Sequence, residues 1–342
     1  MKAVAAHEPL PVDDPRCLVD VDLPDPPPPT GRDLLVRVEA VSVNPLDAKQ
    51  RMARGSHGGA AAGPRVLGWD AAGTVVAIGE GCTLLRPGDA VFYAGSIIRP
   101  GCNAELHLVD ERIVGRRPAS LDAAAAAALP LTSITAYEAL VDRMGVDASG
   151  KSRGRSLLVF GGAGGVGSMA IQIGRELGLD VIATASRPES ADWCRSLGAV
   201  ATIDHRQPLK DGLRAAGRKD VDYLLNCVDT DRYWTQMTDV IAPQGSIASI
   251  VVAEAPVDLG RLMRKCARFA WEAMFTRAIY GTPDMIEQHR LLNRVAAWVD
   301  AGTMRSTMRE RLPRIDAANL REAHRRLETR ATIGKVVLGG WR

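Results

Sequence analysis

The sequence lacks closely spaced pairs of cysteines. Its six cysteines lie far apart along the 342 residues, at Cys17, Cys82, Cys102, Cys194, Cys227 and Cys266. A structural zinc site normally uses neighbouring pairs of thiolates, and a disulfide-stabilised fold needs a denser framework. The cysteine pattern therefore predicts neither a disulfide framework nor a zinc knuckle.

Long apolar runs and a strong excess of one charge are also missing. No apolar run reaches the roughly 18 residues of a membrane span, and the first residues lack the apolar core of a signal peptide. The 43 basic and 40 acidic residues are interspersed and leave a net charge of +3, which indicates no nucleic-acid-binding face. We expect a cytoplasmic protein with a small-molecule partner and with no nucleic-acid or membrane partner.

The length and a change of pattern near residue 125 predict two domains. Before this point, short apolar runs are broken by glycine and proline, which is typical of a β-rich domain. After it, buried strand-like runs alternate with helical segments, as in a parallel sheet covered on both faces. The clearest of these runs are residues 157–160, 180–184, 223–226 and 246–250. A further strand-like run at 331–338 is expected to return to the first domain.

The segment 262–279 is rich in Met, Phe, Trp and Arg, and we interpret it as a helix. One hypothesis makes it a lid or a dimer element. The other makes it an ordinary packing helix, since aromatic and methionine stripes are commonly part of a core. Residues 285–300 follow with apolar side chains at helical spacing and predict another helix.

A glycine-rich loop follows the strand 157–160 and precedes an apolar helix. It reads Gly162, Ala163, Gly164, Gly165, Val166 and Gly167, and so contains the pattern GxGxxG. In this pattern the first glycine permits a tight turn, the second admits a pyrophosphate, and the third allows the helix to pack on the strand. The helix N-terminus adds unpaired N–H groups and a positive dipole. The loop therefore predicts a dinucleotide-binding site.

The residues after the next strand favour NADPH over NADH. An NAD site commonly places a carboxylate about twenty residues after the loop, whereas this chain has Ser186 and Arg187 there. A hydroxyl and a guanidinium can bind the extra phosphate of NADPH, although these residues are also compatible with a plain helix start. His205 is a candidate for the adenosine end or a surface turn residue. Asn226 ends a strand at the edge where cofactors bind.

Four motifs together resemble the medium-chain dehydrogenase/reductase superfamily. They are Val43–Asp47, Leu67–Val75, Gly88–Asp89 and the glycine-rich loop. The resemblance is closest to the quinone oxidoreductase-like branch, often labelled zinc-type alcohol dehydrogenase-like. It implies an α/β protein with a GroES-like domain at 1–125, completed by 305–342, and a doubly wound Rossmann domain at 126–304. It also implies a homodimer.

The same resemblance argues against a metal. Metal-dependent members bind catalytic zinc through Cys, His and Cys, and motif alignment places Asn44, Trp69 and Leu131 at those positions. Tryptophan and leucine cannot coordinate zinc, which needs three protein ligands. The four-cysteine lobe is also missing, because only Cys102 follows Gly88–Asp89 in that stretch. We expect no zinc.

The predicted function is an NADPH-dependent, zinc-independent reductase of quinones or α,β-unsaturated carbonyls. Without a Lewis acid, oxidation of a plain alcohol loses its usual means of stabilising the alkoxide, whereas an activated acceptor delocalises the charge that hydride brings. One alternative is an alcohol dehydrogenase with atypical ligands among Asp70, His57 and His107. Another is a non-catalytic, regulatory NADPH-binding protein.

The resemblance suggests five residues near the reacting groups, each with a simpler alternative. Asn44 is a candidate donor to a substrate carbonyl or cofactor ribose, and Asp47 either lies with it at the nicotinamide end of the cleft or holds the loop through backbone hydrogen bonds. Thr135 matches a family position beside the nicotinamide, or is a helix hydroxyl bonded to the preceding turn. Tyr93 is a candidate proton donor or stacking surface, or a packing residue. Lys335 either binds cofactor or is an exposed strand lysine.

Overall fold

The computed structural model describes residues 1–53 and 63–341, and the chain divides into two compact units. Unit 1 comprises Met1–Leu131 and Phe275–Arg342, and unit 2 comprises Thr132–Met274. One domain is therefore inserted into the other, as expected, but both boundaries differ from the predicted 125/126 and 304/305.

Local contacts explain where the boundaries fall. The backbone N–H of Leu131 donates to Asp70 of unit 1 at 2.7 Å. The segment 287–300 is a helix that packs on strand 114–116, where Asn293 accepts from the N–H of Arg116 at 2.9 Å. Its His289 bonds the carbonyl of Val114 at 2.6 Å. Residues 126–131 and 275–304 thus belong to unit 1, which a change of sequence pattern alone did not reveal.

The strands and helices follow one another as short elements. The strands are β1 (Lys2–Ala6), β2 (Val19–Asp22), β3 (Asp33–Ser42), β4 (Arg65–Val66), β5 (Ala71–Ile78), β6 (Ala90–Tyr93), β7 (Leu106–Asp110), β8 (Val114–Arg116), β9 (Ser156–Phe160), β10 (Asp180–Thr184), β11 (Ala201–Ile203), β12 (Val221–Asn226), β13 (Ile241–Ser249), β14 (Arg268–Trp271), β15 (Met308–Leu312) and β16 (Lys335–Gly339). The helices are α1 (Pro45–Met52), α2 (Ala123–Ala127), α3 (Pro130–Tyr137), α4 (Gly165–Glu176), α5 (Pro188–Ser196), α6 (Leu209–Ala215), α7 (Thr230–Val240), α8 (Gly260–Met263), α9 (Thr276–Tyr280), α10 (Glu287–Asp300) and α11 (Ala317–Glu328). A π-helical turn, Glu138–Arg143, continues α3.

Unit 1 is β-rich, as predicted. A small sheet has the order β2-β1-β4, and a larger one has the order β15-β16-β3-β5-β6-β8 with β7 also paired to β3. The strand β16 returns to this unit and runs antiparallel to β3, with Leu338 opposite Val41. This pairing brings Lys335, at the start of β16, next to the loop that follows β3.

Unit 2 contains a six-stranded parallel sheet in the order β11-β10-β9-β12-β13-β14. The strand order reverses between β9 and β12, and such a reversal creates the crevice where open α/β sheets bind ligands. Apolar side chains including Leu158, Leu224 and Ile247 are buried in its core. The doubly wound Rossmann prediction is confirmed.

The predicted helix over 262–279 is wrong. The segment contains the end of α8, the edge strand β14 and most of α9. Cys266 has a positive φ of 47°, which ends the helical turn, and Phe269 then pairs with Ile247 of β13. Its ring packs edge-on against Trp234, with centroids 5.2 Å apart. Aromatic and methionine residues suit a half-buried strand as well as a helix, so composition did not distinguish them.

One continuous helical stretch, Ala123–Arg143, is long and apolar enough to resemble a membrane span. However, 83% of its apolar window is buried inside the protein. This burial is the pattern of a core helix in a globular fold.

Candidate functional site

The glycine-rich loop joins β9 to α4 and is fastened to the neighbouring strand β10. Gly161, which has a positive φ of 75°, donates its N–H to Oγ1 of Thr184 at 2.9 Å. Gly162 donates to the carbonyl of Thr184 at 3.1 Å. These two bonds fix the loop over the carboxyl end of β10, where the sequence predicted a dinucleotide.

The glycines of the loop have different steric roles. A Cβ on Gly167 would lie 2.2 Å from the carbonyl oxygen of Gly161, and one on Gly162 would lie 2.6 Å from Cβ of Ala183. A Cβ on Gly164 would come no closer than 3.4 Å to any atom of the described residues, so this position is open among them. Gly162 and Gly167 therefore build the turn, while Gly164 leaves room for a phosphate.

The first turn of α4 completes a fit to a dinucleotide pyrophosphate. Gly165 and Val166 are half-buried there, and the N–H groups of a first helical turn have no partner within the helix. The twelve residues of α4 add their dipole at the same end. The loop residues would thus hold the phosphates of the cofactor.

Two guanidiniums lie near the carboxyl ends of β10 and β11. Arg187 is exposed at the N-cap of α5, and the preceding Ser186 is half-buried. Nη2 of Arg206 donates to the carbonyl of Ser186 at 2.8 Å, and its guanidinium also bonds the carboxylate of Asp204. The sequence predictions named Ser186 and Arg187 but missed Arg206. Its position three residues after the end of β11, the strand beside β10, was the available signal.

His205 and Asn226 are both held by the protein. The ring of His205 meets Tyr233 edge-on at 6.1 Å, and burial lowers its pKa. Asn226 is buried, and its Nδ2 donates to Thr230 and Ser249 at 3.0 and 3.1 Å. Its Oδ1 accepts from the N–H of Val228. Asn226 therefore organises the turn after β12, and its predicted contact with a cofactor stays a prediction.

A buried polar network in unit 1 joins two segments that are far apart in sequence. Nζ of Lys335 donates to the carbonyl of Val43 at 2.9 Å, to Oδ1 of Asn44 at 2.5 Å and to Oδ2 of Asp70 at 2.8 Å. Asn44, Asp70 and Lys335 are 2%, 0% and 3% exposed. Burial raises the pKa of Asp70, and the ammonium of Lys335 opposes this shift. Lys335 is therefore a buried ion-pair partner, and the alternative of an exposed strand lysine is wrong.

Asn44 has no amide hydrogen left for a substrate. Its Nδ2 donates to the carbonyl of Trp69 at 3.2 Å and to Oδ2 of Asp70 at 2.9 Å. A primary amide has two hydrogens, and both are used here. This contradicts the expectation that Asn44 donates to a substrate carbonyl or ribose, because the buried carboxylate of Asp70 competes for that hydrogen.

Asp47 holds the start of α1. Its Oδ2 accepts from the N–H of Asn44 at 2.7 Å, while its buried Oδ1 has no hydrogen-bond partner among the described residues. Burial raises the pKa of Asp47 to about 7. The contacts match the loop-holding alternative, in which a first-turn carboxylate reaches back to the cap residue.

Tyr93 is fully buried and bonded to His107. Its hydroxyl lies 3.1 Å from Nδ1 of His107, whose Nε2 lies 3.0 Å from the carbonyl of Pro100. A carbonyl only accepts, so Nε2 carries the imidazole hydrogen and the tyrosine donates to Nδ1. Burial lowers the pKa of His107 to about 4 and raises that of Tyr93. The hydroxyl of Tyr93 thus faces the imidazole in the core, and its role as a proton donor stays a prediction.

Thr135 is buried on α3 and belongs to unit 2. Asn44, Asp47, Tyr93 and Lys335 belong to unit 1. The assignment of Thr135 to the nicotinamide stays a prediction.

The described residues do not fit a catalytic zinc. Across 1–53 and 63–341, no group of three or more His, Cys, Asp or Glu side chains is arranged to hold a metal. Both ring nitrogens of His107 are engaged, and Asp70 is committed to Lys335, Asn44 and Leu131. His57, the other ligand in the atypical-ligand hypothesis, lies outside the described residues.

Comparisons with known proteins agree with this architecture. Residues 30–118 match the alcohol dehydrogenase GroES-like domain, and residues 197–338 match the zinc-binding dehydrogenase family. A zinc-type alcohol dehydrogenase-like protein of Staphylococcus aureus is 42% identical over 91% of this chain and 92% of its own length. A quinone oxidoreductase of Pseudomonas aeruginosa is 30% identical over 91% and 92%. A Rhizobium etli protein named as a zinc-dependent alcohol dehydrogenase has a solved structure with 50% identity and a TM-score of 0.94, covering 100% of this chain and 98% of that one.

The GroES-like strands, the parallel sheet and the dinucleotide loop define an oxidoreductase of the nucleotide-dependent dehydrogenase class. More specifically, the chain belongs to the medium-chain dehydrogenase/reductase superfamily, as its motifs predicted.

Proposed function

We propose that this chain is an NADPH-dependent, zinc-independent reductase that transfers hydride to quinones or α,β-unsaturated carbonyls. The proposal rests on the residues that occupy the three positions where metal-dependent family members bind zinc. These positions hold Asn44, Trp69 and Leu131, and the polar atoms there bond to one another and to Asp70.

The chemistry follows from what the chain offers. NADPH, when bound, supplies the hydride. The loop around Gly164 and the first turn of α4 hold its pyrophosphate, which positions the nicotinamide. A quinone or enone delocalises the charge that hydride brings onto its own oxygen. Its reduction therefore needs less help from a Lewis acid than the oxidation of a plain alcohol does. The Pseudomonas aeruginosa relative named quinone oxidoreductase supports this substrate class.

The choice of NADPH rests on charge at the end of β10. Ser186 supplies a hydroxyl, and Arg187 and Arg206 supply guanidiniums. Guanidinium groups bind phosphate through charge-assisted hydrogen bonds, and the ribose of NADH lacks this phosphate. We therefore propose Arg206 as an additional selector for the phosphate of NADPH.

A cytoplasmic homodimer acting on a small molecule is part of the same proposal. The edge strand β14 pairs only with β13 among the described strands and carries Trp271, which is 46% exposed. An exposed apolar edge is a natural surface for pairing with a second copy.

The test is stopped-flow oxidation of NADPH and NADH by metal-analysed, chelator-treated protein. The acceptors are 1,4-benzoquinone, 9,10-phenanthrenequinone and a simple enone. Saturable oxidation with preference for NADPH is expected, and Arg206→Ala should weaken that preference. Arg214→Ala is a matched control, because this exposed arginine on α6 pairs only with Asp211 among the described residues.

Two other outcomes would assign the chain differently. Activity that is lost to the chelator and restored by zinc would favour an alcohol dehydrogenase with atypical ligands. Tight NADPH binding without turnover of any acceptor would favour a non-catalytic, regulatory NADPH-binding protein.

A further inference from the structure

The ammonium of Lys335 has the surroundings of a bound cation. Three oxygens surround it, from the carbonyl of Val43, the amide of Asn44 and the carboxylate of Asp70, at 2.5 to 2.9 Å. One of these oxygens carries a negative charge, and the lysine side chain is 4% exposed. The three donors of the ammonium match the three acceptors, so none is left for a ligand.

These oxygens would form an attractive cation site if the lysine were absent. Carboxylate, amide and backbone carbonyl oxygens are the ligand types that hard cations prefer. An unpaired buried carboxylate is strongly unfavourable, so an ionised Asp70 requires a positive charge beside it. Asn44 also aligns with one of the positions where metal-dependent family members bind zinc. Lys335 therefore donates a hydrogen bond to a residue at one of these zinc positions.

We propose that the Lys335 ammonium is a resident cation that fills this oxygen site and excludes metal ions from it. The inference rests on the zinc independence in the proposed function, and not on NADPH or on the identity of the acceptor. Because the ammonium also bonds Val43 and Asn44, it fixes the loop between β3 and α1 to β16. Lys335 is thus a positioning residue whose charge is built into the chain.

Chemical complementation tests whether the site needs a cation. Lys335→Ala removes three methylenes and the ammonium, which together correspond to n-propylammonium. We expect the variant to unfold roughly 10 °C below the wild type, because one partner of a buried pair is lost. Added n-propylammonium should recover about half of that shift in a saturable manner, whereas the neutral isostere n-propanol should recover little.

Two variants control for non-specific effects of the amine. In Asp70→Asn/Lys335→Ala the carboxylate is gone, so n-propylammonium should no longer raise the unfolding temperature. Lys210→Ala removes a half-exposed lysine that pairs with Asp239, and its stability should not respond to the amine. Equal recovery by n-propanol, or recovery in the double variant, would overturn the proposal, since cavity filling alone would then explain it.

Zinc uptake tests exclusion directly. After dialysis against zinc, wild-type protein and Asp70→Asn should retain the same amount of metal, because the site is closed in both. The proposal would be overturned if the wild type retained a full equivalent of zinc and Asp70→Asn did not. These readouts are thermal and analytical, so an absence of reductase activity would refute the proposed function without affecting them.

A second pair of variants applies if Lys335→Ala does not fold. Lys335→Met and Asp70→Leu should each lower the unfolding temperature, and the double variant should be more stable than the sum of the two losses predicts. Additive losses would mean that the two charges are not coupled, which contradicts a resident cation.

Discussion

Arg51 on α1 donates a hydrogen bond from Nη1 to Nδ1 of His324 on α11, at 3.1 Å, and both side chains are buried. Arginine only donates, so Nδ1 is unprotonated and Nε2 carries the single hydrogen of a neutral imidazole. Burial, with the adjacent guanidinium, lowers the pKa of His324 to about 3. The native state therefore excludes a proton that the unfolded chain accepts.

The stability of unit 1 is expected to fall on acidification because of this histidine. Between pH 6.5 and about 3 the unfolded state binds the proton and the folded state does not, so the free energy of unfolding decreases as pH falls. The neutral imidazole of His324 makes its full contribution to the free energy of unfolding above pH 6.5. In His324→Gln, urea unfolding at pH 4.5 to 6.5 should show a pH slope smaller by up to about 1.4 kcal/mol per unit.

His7→Gln is the control for this slope, because His7 is exposed. His107, whose pKa is about 4, adds a slope of the same sign in both proteins and cancels in the comparison. An unchanged slope in His324→Gln would mean that the imidazole is protonated in the folded state.

The second and third glycines of the phosphate loop should respond differently to alanine. In the described part of the chain the new methyl of Gly164→Ala comes no closer than 3.4 Å to any atom, so stability should hold while NADPH affinity falls by about tenfold or more. Gly167→Ala places a methyl 2.2 Å from a backbone oxygen, so it should destabilise unit 2 by about 1–3 kcal/mol. Fluorescence titration and thermal unfolding measure the two effects. Unchanged NADPH affinity in Gly164→Ala would place the pyrophosphate elsewhere.

Tyr93→Phe should affect stability more than catalysis. The substitution leaves Nδ1 of buried His107 without its donor, which costs roughly 1–2 kcal/mol in urea unfolding. The rate of NADPH oxidation should stay within about twofold, since the hydroxyl faces the core. Tyr280→Phe is a control at a 76% exposed position. A hundredfold loss of rate with unchanged stability would instead make Tyr93 the proton donor.

The edge strand β14 gives a test of the proposed dimer. Trp271→Glu places a charge on the exposed edge and should shift light-scattering mass from two copies of the 36.6 kDa chain to one. Val200→Glu changes a 65% exposed apolar residue elsewhere in unit 2 and should leave the mass unchanged. A single-copy mass in the unmodified protein would refute the dimer.

Local patterns in the sequence were sufficient for much of the fold. The strand β9, the loop to Gly167 and the helix α4 were predicted because their signals lie within about twenty consecutive residues. The cap of α2 is equally local, since Oδ1 of Asp122 accepts from the N–H of Ala125, three residues later, at 2.7 Å. The segment 262–279 failed because its apolar residues suit both a strand and a helix.

Long-range polar contacts could not be predicted from the sequence. Asp70 and Lys335 are separated by 265 positions, and only the pairing of β16 with β3 brings them together. The sequence singled out Asn44 and Lys335, yet it could not show that Asp70 engages both of them. Arg206 was missed likewise, because its partner Ser186 lies 20 positions earlier in the chain, just after the end of β10.

The position of Lys335 near the end of the chain sets an order of events during synthesis. Unit 2 contains all six strands of its own sheet within residues 132–274, so it can begin to fold before the ribosome reaches β16. The 264 residues between Asp70 and Lys335 must be translated before the carboxylate of Asp70 can form its ion pair with Lys335. A nascent chain halted before β16 should thus bind NADPH through unit 2 while unit 1 remains susceptible to protease.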